Sequence, residues 1–230
     1  MKTTINPDFY EHQAWQKKMF VCGIDEVGRG CLAGPVVVAA AILPQNCDYL
    51  LTDSKKMSPA AREKAFTWLT KHSFYSVAMA DATYIQQHNI YQATLFCMRK
   101  ACLQLASRFP QLFAQLAFIT VDAMPLKLPT DMIDASAIKS FIKGEEYSRS
   151  IAAASIIAKV TRDRLMQRLS PLFPIYTFGS DKAYASPKHC QTLRSSSATF
   201  IHRPQFITTV RTPRTKPAAR KRAHEQQALF

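Results

Sequence analysis

The feature that most limits the fold of this chain is an uninterrupted apolar run, Val36 to Leu43, which stands between Pro35 and Pro44. The run is far shorter than the roughly 18 apolar residues that a membrane-spanning helix needs. Its β-branched start and the flanking prolines indicate a short strand that is buried in a sheet. The rest of the chain therefore has to supply neighbouring strands and the helices that cover them.

The pattern around this run predicts such a sheet. Strands are expected at residues 20–25, 36–43, 74–80, 116–121 and 138–142. A helix is expected to open at Ser58-Pro59, a long one to lie within Thr83 to Phe109, and a third to cover residues 150–169. Strands come first and then alternate with helices, which predicts an α/β domain with helices on the sheet.

Three regions of the chain differ in character. Residues 1–19 are an N-terminal extension, and residues 20–210 are predicted to form the folded domain. Residues 211–230 contain six Lys or Arg against one Glu, with little apolar periodicity, so this tail is predicted to be disordered.

Charge points to a polyanionic partner. The chain has 30 Lys and Arg against 16 Asp and Glu, a formal net charge of +14, which favours nucleic acid or anionic lipid. No membrane span or leader pattern is evident, so the prediction is a cytoplasmic protein without membrane attachment. Six cysteines without paired spacing are expected to be reduced core thiols and not a zinc site or a disulfide frame.

Against this basic background, carboxylates stand at the ends of two predicted strands. The first predicted strand ends at Asp25, with Glu26 directly after it, and Asp122 comes directly after the fourth. If the two strands are neighbours, the three acids would form a hard oxygen set that suits Mg²⁺ or Mn²⁺. A pair of such ions can hydrolyse a phosphodiester, so the combination predicts a nuclease. A lone Asp at a strand end is more often a turn former, which is the expected role of other aspartates in the chain.

The glycine-rich segment after the first strand carries a resemblance. Residues 23–37, GIDEVGRGCLAGPVV, are similar to the opening signature of the ribonuclease HII family. Five more segments resemble family motifs and follow in the family's order, at residues 53–58, 89–94, 121–122, 150–164 and 202–206. The resemblance thus covers residues 23 to 206.

This resemblance implies a fold and an activity. The fold is a ribonuclease H-like mixed five-stranded sheet flanked by helices, with a C-terminal helical extension. The activity is Mg²⁺- or Mn²⁺-dependent endonucleolytic cleavage of RNA in RNA–DNA hybrids, and incision 5′ to single ribonucleotides in duplex DNA. The products carry 3′-hydroxyl and 5′-phosphate ends. Nothing in the sequence argues against a monomer.

The resemblance assigns catalytic metal ligands by position. These are Asp25, Glu26, Asp122 and Glu145, the last standing where the family usually has aspartate after Lys-Gly. The longer Glu145 side chain could still reach a metal ion, or it could cripple the site and leave a non-catalytic nucleic-acid-binding module. Asp163 is the rival fourth carboxylate, although its neighbours Arg162 and Arg164 favour a structural ion pair.

A substrate-binding set is also implied. Gly28, Arg29 and Gly30 would hold the ribonucleotide 2′-hydroxyl and the adjoining phosphate, because glycine permits close backbone approach. Tyr184 resembles the tyrosine that stacks on the deoxyribose after the ribonucleotide. The resemblance makes Lys55 and Asn89 candidates for phosphate and backbone contacts.

Some residues depart from the family pattern or receive a structural interpretation. Ala123 and Ala183 stand where the family has glycine. His189 and His202 are predicted to cap or orient loops, since neither has a second soft ligand nearby for a metal.

The end of the tail and the start of the chain bear on partners and on the branch of the family. Gln226, Leu229 and Phe230 are similar to the Q-x-x-L-F peptides that bind bacterial sliding clamps, although an unstructured end with a chance Leu-Phe pair is the alternative. The related ribonuclease HIII branch usually carries an additional N-terminal domain. Only about 20 residues precede Asp25, and the Gly-Arg-Gly triplet also favours the HII branch.

Overall fold

The computed structural model describes residues 6–47, 49, 51 and 57–211. A five-stranded sheet lies at its centre, in the order β3-β2-β1-β4-β5. The strands are β1 (Phe20–Val27), β2 (Val36–Ile42), β3 (Phe74–Ala80), β4 (Leu116–Asp122) and β5 (Ile138–Phe141). Strand β2 is antiparallel to β1 and β3, whereas β4 is parallel to β1 and β5. This confirms the predicted mixed sheet, with β1 two residues longer than expected.

Helices flank the sheet and form the C-terminal part of the domain. They are α1 (Phe9–Gln16), α2 (Pro59–His72), α3 (Ala82–Arg108), α4 (Pro110–Phe113), α5 (Arg149–Leu169), α6 (Phe178–Asp181), α7 (Pro187–Ser195) and α8 (Pro204–Arg211). No helix in these described segments is long and apolar enough to cross a bilayer. The helical C-terminal extension is confirmed.

The burial of β2 explains its uninterrupted apolar sequence. Every residue of β2 is buried. Val36 and Val38 belong to the core that α3 covers, whereas Val37 and Ala39 belong to the core that α5 covers. Because successive side chains of a strand point to opposite faces, a strand with a helix layer on each side needs apolar residues at every position.

The long helix α3 is interrupted near its first third. Asn89 has φ 60° and ψ 165°, so two helical segments meet there at a kink. The Asn89 side chain accepts a hydrogen bond from the Gln92 amide at 3.0 Å and thereby caps the second segment. The sequence predicted one helix because the apolar spacing continues across the break.

Helix α1 packs on the sheet and on the start of α5. The Tyr10 ring lies 5.1 Å from Phe118 and 5.2 Å from Phe141. Glu11 is fully buried and accepts hydrogen bonds from the Ser148 hydroxyl at 2.7 Å and the Ser150 amide at 2.9 Å. Residues of the N-terminal extension therefore hold the element that leads into the site described below.

Candidate active site

The predicted carboxylates meet at one end of the sheet. In the parallel pairing of β1 with β4, Ile24 lies opposite Val121, so the next residues, Asp25 and Asp122, are neighbours. Burial raises the pKa of Asp25 well above its ordinary value, and the charges of Glu26 and Asp122 raise it further. Asp25, Glu26 and Asp122 therefore share one electrostatic environment.

Glu26 carries an unsatisfied oxygen in this environment. Its Oε1 lies 3.2 Å from Arg29 Nη1, whereas its buried Oε2 has no hydrogen-bond partner among the described residues. Burial raises the pKa of Glu26, Arg29 opposes that increase, and Asp122 adds to it. A buried carboxylate oxygen without a partner, close to two other carboxylates, is costly unless a cation joins them.

Helix α5 approaches β1 closely enough to bond Asp25. A Cβ atom at Gly23 would lie 2.0 Å from the carbonyl carbon of Ser150, so only glycine lets α5 start on this strand. Further along α5, Ser155 forms a side-chain hydrogen bond with Asp25 that opposes the rise in its pKa. Sequence reasoning gave Ser155 no role, since the spacing of α5 predicted only a helix.

The fourth carboxylate of the prediction lies on the turn between β5 and α5. The Gly144 amide donates a hydrogen bond of 2.8 Å to Asp122 Oδ1. Glu145 follows at once within the short 3₁₀ turn Gly144–Glu146. Gly144 thus joins the turn that bears Glu145 to the acidic end of β4.

Asp163 takes part in ion pairs, as the structural interpretation predicted, but with other partners. It lies 2.9 Å from Lys159 Nζ and 4.0 Å from Arg62 Nη1. The neighbouring Arg162 points elsewhere and donates to backbone carbonyls.

The carboxylates are close, but they are not in the arrangement of a completed metal site. Among residues 6–47, 49, 51 and 57–211, no group of three or more His, Cys, Asp or Glu side chains has the spacing to hold a metal ion. The donors present are oxygens only, which fits Mg²⁺ or Mn²⁺, and the unpartnered Glu26 Oε2 is an available ligand atom. All six cysteines are free thiols, and five of them are buried.

The glycine-rich loop after β1 contains two glycines in different settings. Gly28 is buried with φ +89°, and a Cβ there would lie 2.3 Å from Arg162 Nε. Gly30 is exposed, with open space where a Cβ would be. The fold itself therefore requires glycine at position 28, whereas position 30 offers exposed backbone beside Arg29.

Two buried arginines donate hydrogen bonds to the backbone of this loop, and the sequence did not predict this role for either of them. Arg162 is 0% exposed and donates to the carbonyls of Pro35 at 3.0 Å, Ala33 at 3.0 Å and Lys182 at 2.9 Å. All three acceptors are uncharged backbone carbonyls. They satisfy N–H groups of a guanidinium that has no carboxylate partner in these bonds.

The second arginine is Arg203, which is 1% exposed. It donates twice to Gly34, at 2.9 and 2.8 Å, and once to the Arg29 carbonyl at 2.9 Å. Burial lowers the pKa of Arg203 to about 10, and the nearby charge of Arg162 acts in the same direction. Arg203 thus fixes the backbone on which Arg29 is presented.

Tyr184 stands beside the same loop. It is 40% exposed, and burial of the rest of its side chain raises its pKa to about 12. Lys159 Nζ and Arg162 Cζ lie 5.6 and 5.8 Å from its ring centroid. The Leu32 amide donates to the Ala183 carbonyl at 2.9 Å, which ties the Tyr184 segment to the loop.

The two departures from the family's glycines share a backbone conformation. Ala123 has φ 51° and Ala183 has φ 65°, both in the left-handed region that favours glycine. Both alanines carry a strain that glycine would not have.

Some predicted residues fall elsewhere. Asn89 caps the second segment of α3, as described above. Lys55, Gln226, Leu229 and Phe230 lie outside the described residues.

Comparisons with known proteins agree with the architecture and the motifs. The family model described as Ribonuclease HII matches residues 22–209. Ribonuclease HII of Bacillus subtilis (strain 168) is 41% identical over 205 residues, which are 88% of this chain and 75% of the relative.

Solved structures show the same fold. The ribonuclease H2 of Pyrococcus horikoshii OT3 is 25% identical with a TM-score of 0.65, over 84% of this chain and 97% of that chain. A chain of the PCNA:RNase HII complex from Archaeoglobus fulgidus is 26% identical with a TM-score of 0.63, at the same two coverages.

Proposed function

The chain belongs to the ribonuclease HII family, and we propose that it is an endonuclease that cleaves the RNA strand of RNA–DNA hybrids and incises 5′ to ribonucleotides embedded in duplex DNA. The observation that carries the proposal is the meeting of Asp25, Glu26 and Asp122 at the ends of two parallel strands. The basic surface expected from the net charge of +14 suits a polyanionic duplex.

Mg²⁺ or Mn²⁺ is the proposed cofactor, with Asp25, Glu26, Asp122 and Glu145 as its ligands. The all-oxygen donor set and the buried, unpartnered Glu26 Oε2 support this choice. When bound, a pair of such ions activates water and stabilises charge on the leaving 3′-oxygen, which yields 3′-hydroxyl and 5′-phosphate ends.

The residues of the chain bind and orient the substrate in this proposal. The hydrogen bond from Gly144 fixes the orientation of the Asp122 carboxylate, and Ser155 does the same for Asp25. The exposed backbone at Gly30 and the partly exposed Arg29 side chain face the 2′-hydroxyl and the adjoining phosphate, with Gly28 shaping the turn.

Other residues of the chain contact the nucleotides that flank the ribonucleotide. The half-exposed ring of Tyr184 stacks on the deoxyribose that follows the ribonucleotide. Lys55 and Asn89 contribute phosphate and backbone contacts.

The test is cleavage of a DNA duplex that contains one ribonucleotide, followed on a denaturing gel with Mg²⁺ or Mn²⁺. The native chain should cut 5′ to the ribonucleotide. Asp122→Asn should bind the duplex but cleave it on the order of a hundredfold more slowly or worse, because losing only an outer-shell partner of a metal ligand already costs 10–100-fold. Asp131→Asn, at an exposed position on a loop, is the matched control. Binding without cleavage by the native chain would indicate the non-catalytic module.

Glu145→Asp on the same substrate measures what the longer side chain does. If Glu145 is a ligand, shortening it by one methylene should change the rate and the Mg²⁺-to-Mn²⁺ preference together, because ligand reach sets the position of the ion. An unchanged rate and metal preference would remove Glu145 from the ligand set.

A sliding clamp is the proposed protein partner, through Gln226, Leu229 and Phe230. A relative's structure is that of a PCNA:RNase HII complex, which supports a clamp as partner. Replacement of Leu229 and Phe230 by alanine should abolish clamp binding in a pull-down. Thr212→Ala with Thr215→Ala, elsewhere in the same tail, should not. Binding that survives loss of the Leu-Phe pair would exclude this contact.

A further inference from the structure

Two buried histidines lie behind Tyr184. His189, on α7, is 0% exposed, and His202 is 3% exposed. Their Nε2 atoms lie 3.0 Å apart, and His189 Nδ1 lies 3.0 Å from the Tyr184 carbonyl oxygen. At the other end, His202 Nδ1 lies 2.9 Å from the Thr199 amide.

The position of each proton follows from the Thr199 amide, which can only donate. His202 Nδ1 must accept that bond, so it carries no proton, and the proton of the ring is on Nε2. His202 then donates to His189 Nε2, which leaves the His189 proton on Nδ1. His189 therefore donates to the Tyr184 carbonyl. The three hydrogen bonds are satisfied together only when both rings are neutral and in these two tautomers.

Aromatic side chains pack around the pair. The Tyr176 ring lies 4.6 Å from His202, and the Phe178 ring lies 5.5 Å from His189. These contacts fix the orientation of both imidazoles.

The segment that receives the last hydrogen bond is in an uncommon conformation. Lys182 and Ala183 have φ 54° and 65°, so two successive non-glycine residues before Tyr184 are left-handed. Such a backbone persists only where surrounding contacts determine it. The bond from His189 to the Tyr184 carbonyl and the bond from the Leu32 amide to the Ala183 carbonyl are two of those contacts.

We propose that His189 and His202 are positioning residues that set the orientation of Tyr184 towards the substrate sugar. This inference rests on the proposed function. Both imidazoles are buried behind Tyr184, so they act on the substrate only through that residue. Because Tyr184 meets the deoxyribose after the ribonucleotide, the histidine pair governs cleavage at a ribonucleotide–deoxyribonucleotide junction. It leaves chemistry on continuous RNA unaffected.

The kinetic test compares a duplex with one ribonucleotide and a continuous RNA–DNA hybrid. His189→Leu should lower the ratio of kcat/KM for the junction over that for the hybrid by about tenfold, mainly through KM, the factor expected for loss of one hydrogen bond. His189→Asn, whose amide can still donate to the Tyr184 carbonyl, should restore most of the ratio. His72→Leu, at an exposed position on α2, is the control and should leave the ratio unchanged.

A double-mutant cycle separates positioning from general destabilisation. Adding His189→Leu to Tyr184→Ala should not lower the junction ratio further, because the histidine acts only through the tyrosine. Additive losses, equal losses on both substrates, or a native ratio in His189→Leu would overturn the inference. If His189→Leu does not fold, His202→Asn, which keeps an acceptor for the Thr199 amide but breaks the link between the rings, takes its place.

A measurement on the native protein is independent of activity. Long-range ¹H–¹⁵N spectra near neutral pH should show a neutral Nε2–H tautomer for His202 and a neutral Nδ1–H tautomer for His189. A charged ring, or the opposite tautomers, would contradict the chain of hydrogen bonds from Thr199 through His202 and His189 to Tyr184. If the native chain cuts neither substrate, the proposed function fails and the inference falls with it. If it cuts both while the tautomers or the cycle disagree, only the inference fails.

Discussion

The candidate site has two halves that differ in electrostatics. The acidic half holds the carboxylates at the ends of β1 and β4, and the loop half holds two buried arginines under the glycine-rich loop. In the acidic half, burial and the charge of Asp122 raise the pKa of both Asp25 and Glu26, and one buried carboxylate oxygen of Glu26 has no partner among the described residues. In the half formed by the glycine-rich loop, Arg162 and Arg203 are buried, and each guanidinium donates several hydrogen bonds to backbone carbonyls. The acidic half has a buried oxygen that a cation could bind, whereas the buried guanidinium groups of the loop half already have hydrogen-bond acceptors within the protein.

The two halves therefore differ in rigidity and in strain. A guanidinium that donates to several carbonyls fixes backbone from distant parts of the chain, so it holds the loop in one conformation. Carboxylates of like charge held close together are destabilising, so binding of the proposed cation should stabilise the acidic half. The following substitutions test the contrast.

The largest expected effect on stability is in the loop half. Arg162→Met should lower the free energy of unfolding by about 3 kcal/mol, because it leaves the buried carbonyls of Ala33, Pro35 and Lys182 without their donor. Urea denaturation measures this, with Arg168→Met at an exposed position on α5 as control. A loss below about 1 kcal/mol would show that the loop does not depend on this cation.

The acidic half should respond in the opposite sense. Asp25→Asn should abolish cleavage, yet it should raise the melting temperature of the metal-free protein, because it removes a buried carboxylate whose charge is disfavoured by burial and by the charges of Glu26 and Asp122. Thermal melts in the presence of a chelator measure this. Added Mn²⁺ should then stabilise the native chain more than the variant. A variant that melts at a lower temperature than the native chain without metal would show that Asp25 does not destabilise the metal-free fold.

Glu11 is a buried carboxylate outside the acidic half, so its titration can be measured apart from the candidate metal ligands. Burial raises its pKa, so between the unfolded value near 4.3 and the folded value the folded chain binds more protons. Its contribution to stability is therefore highest at low pH and decreases as pH rises through the folded pKa. Glu11→Gln should flatten this decrease in melts from about pH 4 to pH 8, whereas Glu63→Gln on the surface should not. An unchanged slope for Glu11→Gln would contradict the raised pKa.

The smallest effects concern one strained alanine in each half. Ala123→Gly, at an exposed position, should stabilise by about 0.5 kcal/mol, since relief of the left-handed strain exceeds the added chain entropy. Ala183→Gly gains the same relief but loses a buried methyl group worth about 0.8 kcal/mol, so it should be neutral or slightly destabilising. Urea denaturation compares the two, and equal changes would show that burial at residue 183 is immaterial.

Much of the acidic half could be predicted from the sequence because its signals are local. Strand periodicity predicted Asp25 and Asp122 at strand ends, and the resemblance to the family added Glu145 and Tyr184 as candidates. The kink at Asn89 was missed, because an amide cap inside a continuous apolar spacing leaves the periodicity unchanged. The partners of Asp163 were also missed, since Arg62 comes from another helix.

The histidines show the limit of such reasoning more clearly. Sequence analysis predicted that His189 and His202 orient loops, and the structure agrees in that His189 bonds the Tyr184 carbonyl. That they bond each other depends on the packing of α7 beside the segment before α8.

By itself the sequence determined the buried strand, the order of strands and helices, and the carboxylates at strand ends, because side-chain type and spacing encode them directly. The roles of Arg162, Arg203 and the histidine pair depend on the folded arrangement of the chain. Their acceptors are mostly backbone carbonyls, and Arg203 reaches the Arg29 carbonyl 174 positions away in sequence. Since every residue has a carbonyl, no residue type marks the one that a buried cation will bind, and folding alone selects it.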